Sequence, residues 1–129
     1  MDPELDQRIT FFQDEGQVDG DLCVFVRAEL AVLAESGYLV TEDTAAMFTT
    51  HLLTALQRVR HGVPLDDPPA AELIAAELAA RPDAVSLAQA LAARADARSG
   101  VRLPPGEADY VALHIASLPQ QAADGAPAG

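Results

Sequence analysis

Apolar positions in this chain recur at the three- and four-residue spacing of helices, and glycine and proline cut the pattern into segments. From Asp19 onward Leu22, Val26, Leu30 and Leu33 form one such run, which stops at Gly37, a residue suited to a helix C-terminus. Thr41 opens the next segment, with Thr44 behind a Glu42-Asp43 pair that suits a helix N-terminus. That segment extends to Arg60 or His61 and stops at Gly62, ahead of Pro64. Asp67-Pro68-Pro69 starts a third helix, carrying Leu73, Ile74, Glu77 and Leu78 and ended by Pro82. Asp83 is the expected cap of a fourth, with Leu87, Leu91 and Ala95 on one face and Gly100 as its stop. Pro104-Pro105-Gly106-Glu107 opens a fifth that runs to Leu118 and halts at Pro119. Alanine and leucine dominate throughout, and β-branched runs are scarce. The pattern predicts an all-α, antiparallel bundle of about five helices over residues 19–118. Residues 1–18 form an N-terminal segment with one or two helical turns over Leu5 to Phe12, broken at Glu15-Gly16. Residues 119–129 are rich in alanine, glycine and proline and are expected to form a disordered tail.

Composition narrows the function classes. With 129 residues, half of them hydrophobic, the chain has the size and apolar content for one domain with its own core. Eight basic against twenty acidic residues give a net charge of −12. Such a surface repels phosphate backbones and anionic membranes, so neither nucleic acid nor membrane is expected as a partner. A single cysteine excludes an internal disulfide and fits a reducing compartment. Cys23 lies in the apolar run Leu22-Cys23-Val24-Phe25-Val26 and reads as a buried, inert thiol. The chain opens with no charged-then-apolar leader and holds no apolar run of spanning length, so a cytoplasmic location is expected.

Two of the three histidines carry most of the candidate chemistry. Successive helical residues are spaced by roughly 100°. On that spacing Ala45, Phe48, Leu52, Leu56 and Val59 form the core-facing stripe of the second segment, and His51 falls at its edge. Thr44 and Arg58 lie on the same edge, two turns to either side. An imidazole so placed keeps an apolar wall behind it and one nitrogen open to another protein, and Arg58 could offer a cation to an anion carried there. His114 lies within about 60° of the centre of the stripe formed by Val111, Ile115 and Leu118, so it should be the more buried of the two. Glu107 two turns earlier and Tyr110 one turn earlier share its face, and either could fix its tautomer. The bland alternative is two structural histidines, satisfied by hydrogen bonds at a core boundary. His61, just before Gly62, reads as a helix-end residue. A metal site finds no support, since neither a His-x-x-x-His nor a Glu-x-x-His pair occurs. A glycine-elbow nucleophile and a glycine-rich phosphate loop are likewise missing.

Taken together, the two histidine motifs resemble the PRD, the phosphotransferase-system regulation domain. One motif is His51 followed by Arg58 and then Gly62; the other is Glu107, Tyr110, Leu113 and His114 in the order Glu-x-x-Tyr-x-x-Leu-His. The separation between the histidines also suits a PRD, and the resemblance covers roughly residues 19–118. It implies a five-helix bundle that forms homodimers. It also implies that His51 and His114 accept phosphoryl groups from the histidine-containing phosphocarrier protein or from enzyme II components of sugar transporters. Arg58, Glu107 and Tyr110 would support them. Phosphorylation would then change dimer or partner packing and control a regulated protein in carbohydrate signalling or transcription. Such a domain is not an enzyme and needs no cofactor or metal. Two departures stand out. Thr50 occupies the position before the first histidine where many members carry aspartate. No RNA- or DNA-binding module accompanies the domain, so the resemblance is to a free-standing member. The first rival is a degenerate PRD that acts as a dimeric scaffold without phosphorylation. The second is a small hydrolase or metal enzyme using His51, Glu107 and His114, which would require those groups to converge.

Overall fold

A computed structural model describes residues 1–63 and 71–121. These residues form six helices: α1 (Pro3–Asp14), α2 (Gly20–Glu35), α3 (Glu42–Arg60), α4 (Ala71–Ala79), α5 (Pro82–Ser99) and α6 (Pro105–Ser117). The all-helical class follows the sequence pattern, and α2 to α6 correspond to the five expected helices. The sixth is α1, which is a full helix of 12 residues rather than one or two turns. Asp2 accounts for its start: its carboxylate accepts from the Glu4 N–H, and Pro3 follows in the first turn. The other Asp2 oxygen accepts from the Glu42 N–H at 3.0 Å, tying the start of α1 to the start of α3. These backbone donors, led by Glu42, hold the Asp2 carboxyl below its ordinary range. Leu5 and Ile9 of α1 are fully buried, so α1 is part of the core against α2 and α3.

The helix termini follow local chemistry. At α3, Thr41 and Thr44 form a reciprocal capping box: the Thr41 hydroxyl accepts from the Thr44 N–H, and the Thr44 hydroxyl accepts from the Thr41 N–H. At α5 the expected cap moves. The helix begins at Pro82, because the fixed φ of proline suits a first helical position, and Arg81 takes the capping place. Asp83 instead binds the Arg81 guanidinium and accepts from the Tyr38 hydroxyl at 3.3 Å. Arg81 draws the Asp83 carboxyl down to about 2. The segment Asp67 to Pro69, expected to open α4, lies outside the described residues.

The core is the set of faces that these helices turn inward. On α3 the expected stripe of Ala45, Phe48, Leu52 and Leu56 is buried together with Thr49, Leu53 and Ala55, and Val59 is partly buried beside them. On α5 the inner stripe is Ala84, Ala88, Leu91 and Ala95, shifted from the expected Leu87 face. Three alanines there leave room for α6 to approach closely. Cys23 is fully buried, and burial pushes its thiol up. Residues 119–121, expected to start the tail, are held on the α2–α3 corner. Leu39 N–H donates to the Pro119 carbonyl at 2.8 Å and Gln121 N–H to the Gly37 carbonyl at 2.7 Å. The remainder of that tail, residues 122–129, is outside the described residues. Among the described residues no helix is long and apolar enough to cross a membrane.

Candidate functional site

Helices α3 and α6 pack together, and their contact assembles most of the residues singled out by the sequence. On α3, Phe48 and Leu52 anchor the inner face, which leaves His51 half-buried at its edge, as the periodicity predicts. On α6, Val111 and Ile115 are fully buried and set the rotation of the helix. Glu107, Tyr110 and His114 follow at three- and four-residue steps and so line one side of it.

The four polar groups meet. The His51 ring stacks on the His114 ring, with centroids 5.3 Å apart and planes 28° from parallel. Tyr110 meets His51 edge-on at 4.6 Å and lies tilted against His114 at 4.9 Å. Phe48 backs His114 at 6.0 Å. His51 Nε2 is hydrogen-bonded to the Glu107 carboxylate. Glu107 is only 5% exposed, so this partner matters: a buried carboxylate without one would be strongly penalised.

Glu107 was expected to orient His114, and the structure assigns it to His51 instead. Seven residues along a helix span about 10.5 Å, too far for Glu107 to reach His114 on its own helix. The opposing helix brings His51 within reach. This contact also supplies the carboxylate that Thr50 does not. The Thr50 hydroxyl accepts from Arg8 of α1 at 3.2 Å, and Arg8 is paired with Glu42. Arg58 is half-buried on α3, about 10.5 Å beyond His51 along the helix axis. His61 stands at the end of α3, with Nε2 3.4 Å from Asp19.

The His114 imidazole is perturbed by its surroundings. Burial, reinforced by the charge His51 can carry, pushes His114 down to about 4. His114 is therefore neutral at physiological pH, with a lone pair on one ring nitrogen. Both rings are half-buried. Phe48 and Arg8 were not singled out by sequence. Phe48 was visible as a core residue one turn before His51, whereas nothing local marks Arg8 as a neighbour of Thr50.

His51, Glu107 and His114 do converge, as an enzyme or metal reading would require. The rings lie face to face, however, and among the described residues no group of three or more His, Cys, Asp or Glu is arranged to hold a metal ion.

No curated protein and no solved structure matches the chain. Among known protein families, the PRD domain matches over residues 32–118, a span that holds both histidines and reaches from the end of α2 through α6. A match over that much of a 129-residue helical chain, with the histidines of both motifs in contact, means that the chain belongs to the PRD family, the regulation domains of the phosphotransferase system.

Proposed function

We propose that this domain receives a phosphoryl group on histidine and uses it to switch dimer or partner interactions. The donor is the histidine-containing phosphocarrier protein or an enzyme II component. The observation that carries this reading is the stacked pair of His51 and His114, joined from positions far apart in sequence and backed by Glu107 and Tyr110. Neutral imidazole is a competent nucleophile without a general base. A ring nitrogen attacks the donor's phosphorus, the phosphorus–nitrogen bond to the donor ring breaks, and that ring leaves with the electron pair. His51 is the outer acceptor, with a quarter of its side chain exposed. The domain acts as a regulator rather than a catalyst, as a homodimer in the cytoplasm, without cofactor.

The switch is electrostatic. A phosphoryl group adds roughly −1.5 to −2 charges at neutral pH, by analogy with other phosphorylated side chains. It arrives on a chain already at −12 and beside the buried Glu107. Such a group repels its surroundings, and that repulsion at the α3–α6 contact is what changes the packing.

Incubation of the full chain with purified phosphocarrier components and phosphoenolpyruvate, read by intact mass, tests this. A gain of one or two phosphoryl groups is expected, reduced in His51→Ala and in His114→Ala. No gain in the unmodified chain refutes the proposal. If the dimer also survives replacement of both histidines, the scaffold reading takes its place.

A further inference from the structure

We infer that Glu107 is a positioning residue that selects which nitrogen of His51 takes the phosphoryl group, and that this nitrogen is Nδ1; the inference rests on the phosphoacceptor reading of the site. Glu107 is 5% exposed, and its carboxylate meets His51 at Nε2. A carboxylate has no proton to give and can only accept. The ring nitrogen facing it must therefore carry hydrogen, which places the neutral imidazole in the Nε2–H tautomer. The lone pair is then on Nδ1, the only ring nitrogen able to attack. The ring is also held in place: Tyr110 meets it edge-on at 4.6 Å and His114 covers a face at 5.3 Å. Rotation of the ring to exchange its nitrogens would break the Glu107 bond and leave a buried carboxylate unpartnered.

The transfer balances without movement of a proton. The Nδ1 lone pair forms the new phosphorus–nitrogen bond, and the donor's phosphorus–nitrogen bond breaks toward the donor ring, which carries hydrogen on its other nitrogen and so leaves as neutral imidazole. His51 keeps its Nε2 hydrogen, so the phosphorylated ring becomes cationic, and Glu107 is hydrogen-bonded to that positive N–H. The same contact that sets the tautomer thus stabilises the product ring. His114 receives no such direction, since Glu107 cannot reach it along α6.

The test uses the full chain with His61→Asn and His114→Asn, so that His51 is the only histidine. Long-range proton–nitrogen NMR of the unmodified protein reads the His51 tautomer directly. Phosphoramidate, a small chemical phosphoryl donor, then modifies the ring without any protein partner, and NMR assigns the isomer. Expected results are the Nε2–H tautomer and a predominant Nδ1-phosphoryl product. Glu107→Gln keeps the side-chain volume but can donate or accept, so it no longer dictates the tautomer. The Nδ1 preference should fall about tenfold in that variant, the scale of one well-placed hydrogen bond. An Nδ1–H tautomer, a predominant Nε2 product, an unchanged isomer ratio in Glu107→Gln, or no modification of His51 would each overturn the inference. Nδ1 modification by phosphoramidate, with no transfer to the unmodified chain from the phosphocarrier, would leave the inference standing and remove the proposed function instead.

Discussion

His114 shows how one buried ring couples the site to stability. Its ordinary value of 6.5 drops to about 4 in the fold, first because burial disfavours the imidazolium and second because of His51. Between those values the unfolded chain binds a proton that the folded chain refuses. Stability is therefore unaffected above about pH 6.5 and falls as the pH drops through the window toward 4. A shift of this kind corresponds at most to about 3 kcal/mol, and solvent contact of a half-buried ring reduces it to on the order of 1–2 kcal/mol. Urea unfolding at pH 7.5 and pH 5 should show that loss in the natural chain and a smaller one in His114→Asn. Equal slopes in the two proteins would mean that His114 titrates normally. A second residue-scale effect sits among the buried residues of α3. The Thr49 hydroxyl is fully buried and has no hydrogen-bond partner among the described residues. Thr49→Val keeps the branched shape and removes the unsatisfied group, so unfolding free energy should rise by about 1 kcal/mol. A fall in stability would show that the hydroxyl has a partner after all.

Between elements, α2 and α5 are joined by an ion pair with a buried carboxylate and a partly exposed arginine, which helix periodicity could not announce. Glu29 is 1% exposed, and both its oxygens accept from the Arg94 guanidinium, at 2.6 and 2.7 Å. Glu29 falls on the inner face of α2 between Val26 and Leu30, where the sequence pattern alone suggests an apolar residue. Removing one partner strands a buried charge, so Arg94→Ala should cost about 3–5 kcal/mol. Replacing both with leucine should cost clearly less, because no charge is left uncompensated. A double variant as unstable as the single one would show that the pair holds the helices by more than charge compensation. The same distinction separates what was legible from what was not. Helix starts and stops at Gly37, Thr41, Gly62, Gly100 and Pro105 depend on neighbours in sequence, and the pattern found them. The place of His51 at the edge of its stripe was equally local. The choice of His51 over His114 as partner of Glu107 was not, because it depends on how α3 and α6 sit against each other. The displaced start of α5 belongs with the readable features in principle: Pro82 at a first helical position was visible, and Asp83 drew the expectation away from it.

Across the whole molecule, the domain extends beyond the part that carries the family likeness. The PRD match begins at residue 32, and the pattern of apolar residues set the bundle's start at 19, yet α1 fills part of the core. Leu5, Ile9 and Val18 are at most 3% exposed, and each would be replaced by solvent if residues 1–18 were removed. The Asp2 bonds that fasten α1 to the N-terminus of α3 would go with them, as would the Arg27 contacts to Asp6 and Thr10. Loss of a buried leucine side chain alone costs about 2–5 kcal/mol, and whole domains are stable by only about 5–15 kcal/mol. A chain lacking residues 1–18 should therefore be unfolded or aggregated at room temperature, seen as loss of the cooperative thermal transition in circular dichroism. The milder Leu5→Ala should remain folded with a lower melting temperature. If the truncated chain melted like the full one, α1 would be an accessory to the core rather than part of it. The outcome bears on the site as well. Arg8 of α1 holds Thr50, the residue immediately before His51, and Asp2 holds the first turn of the same helix. Because α1 grips α3 at both points, disturbance of α1 should reach His51 before it reaches His114 on α6. In Leu5→Ala, NMR signals of the His51 ring should therefore broaden or shift more than those of His114.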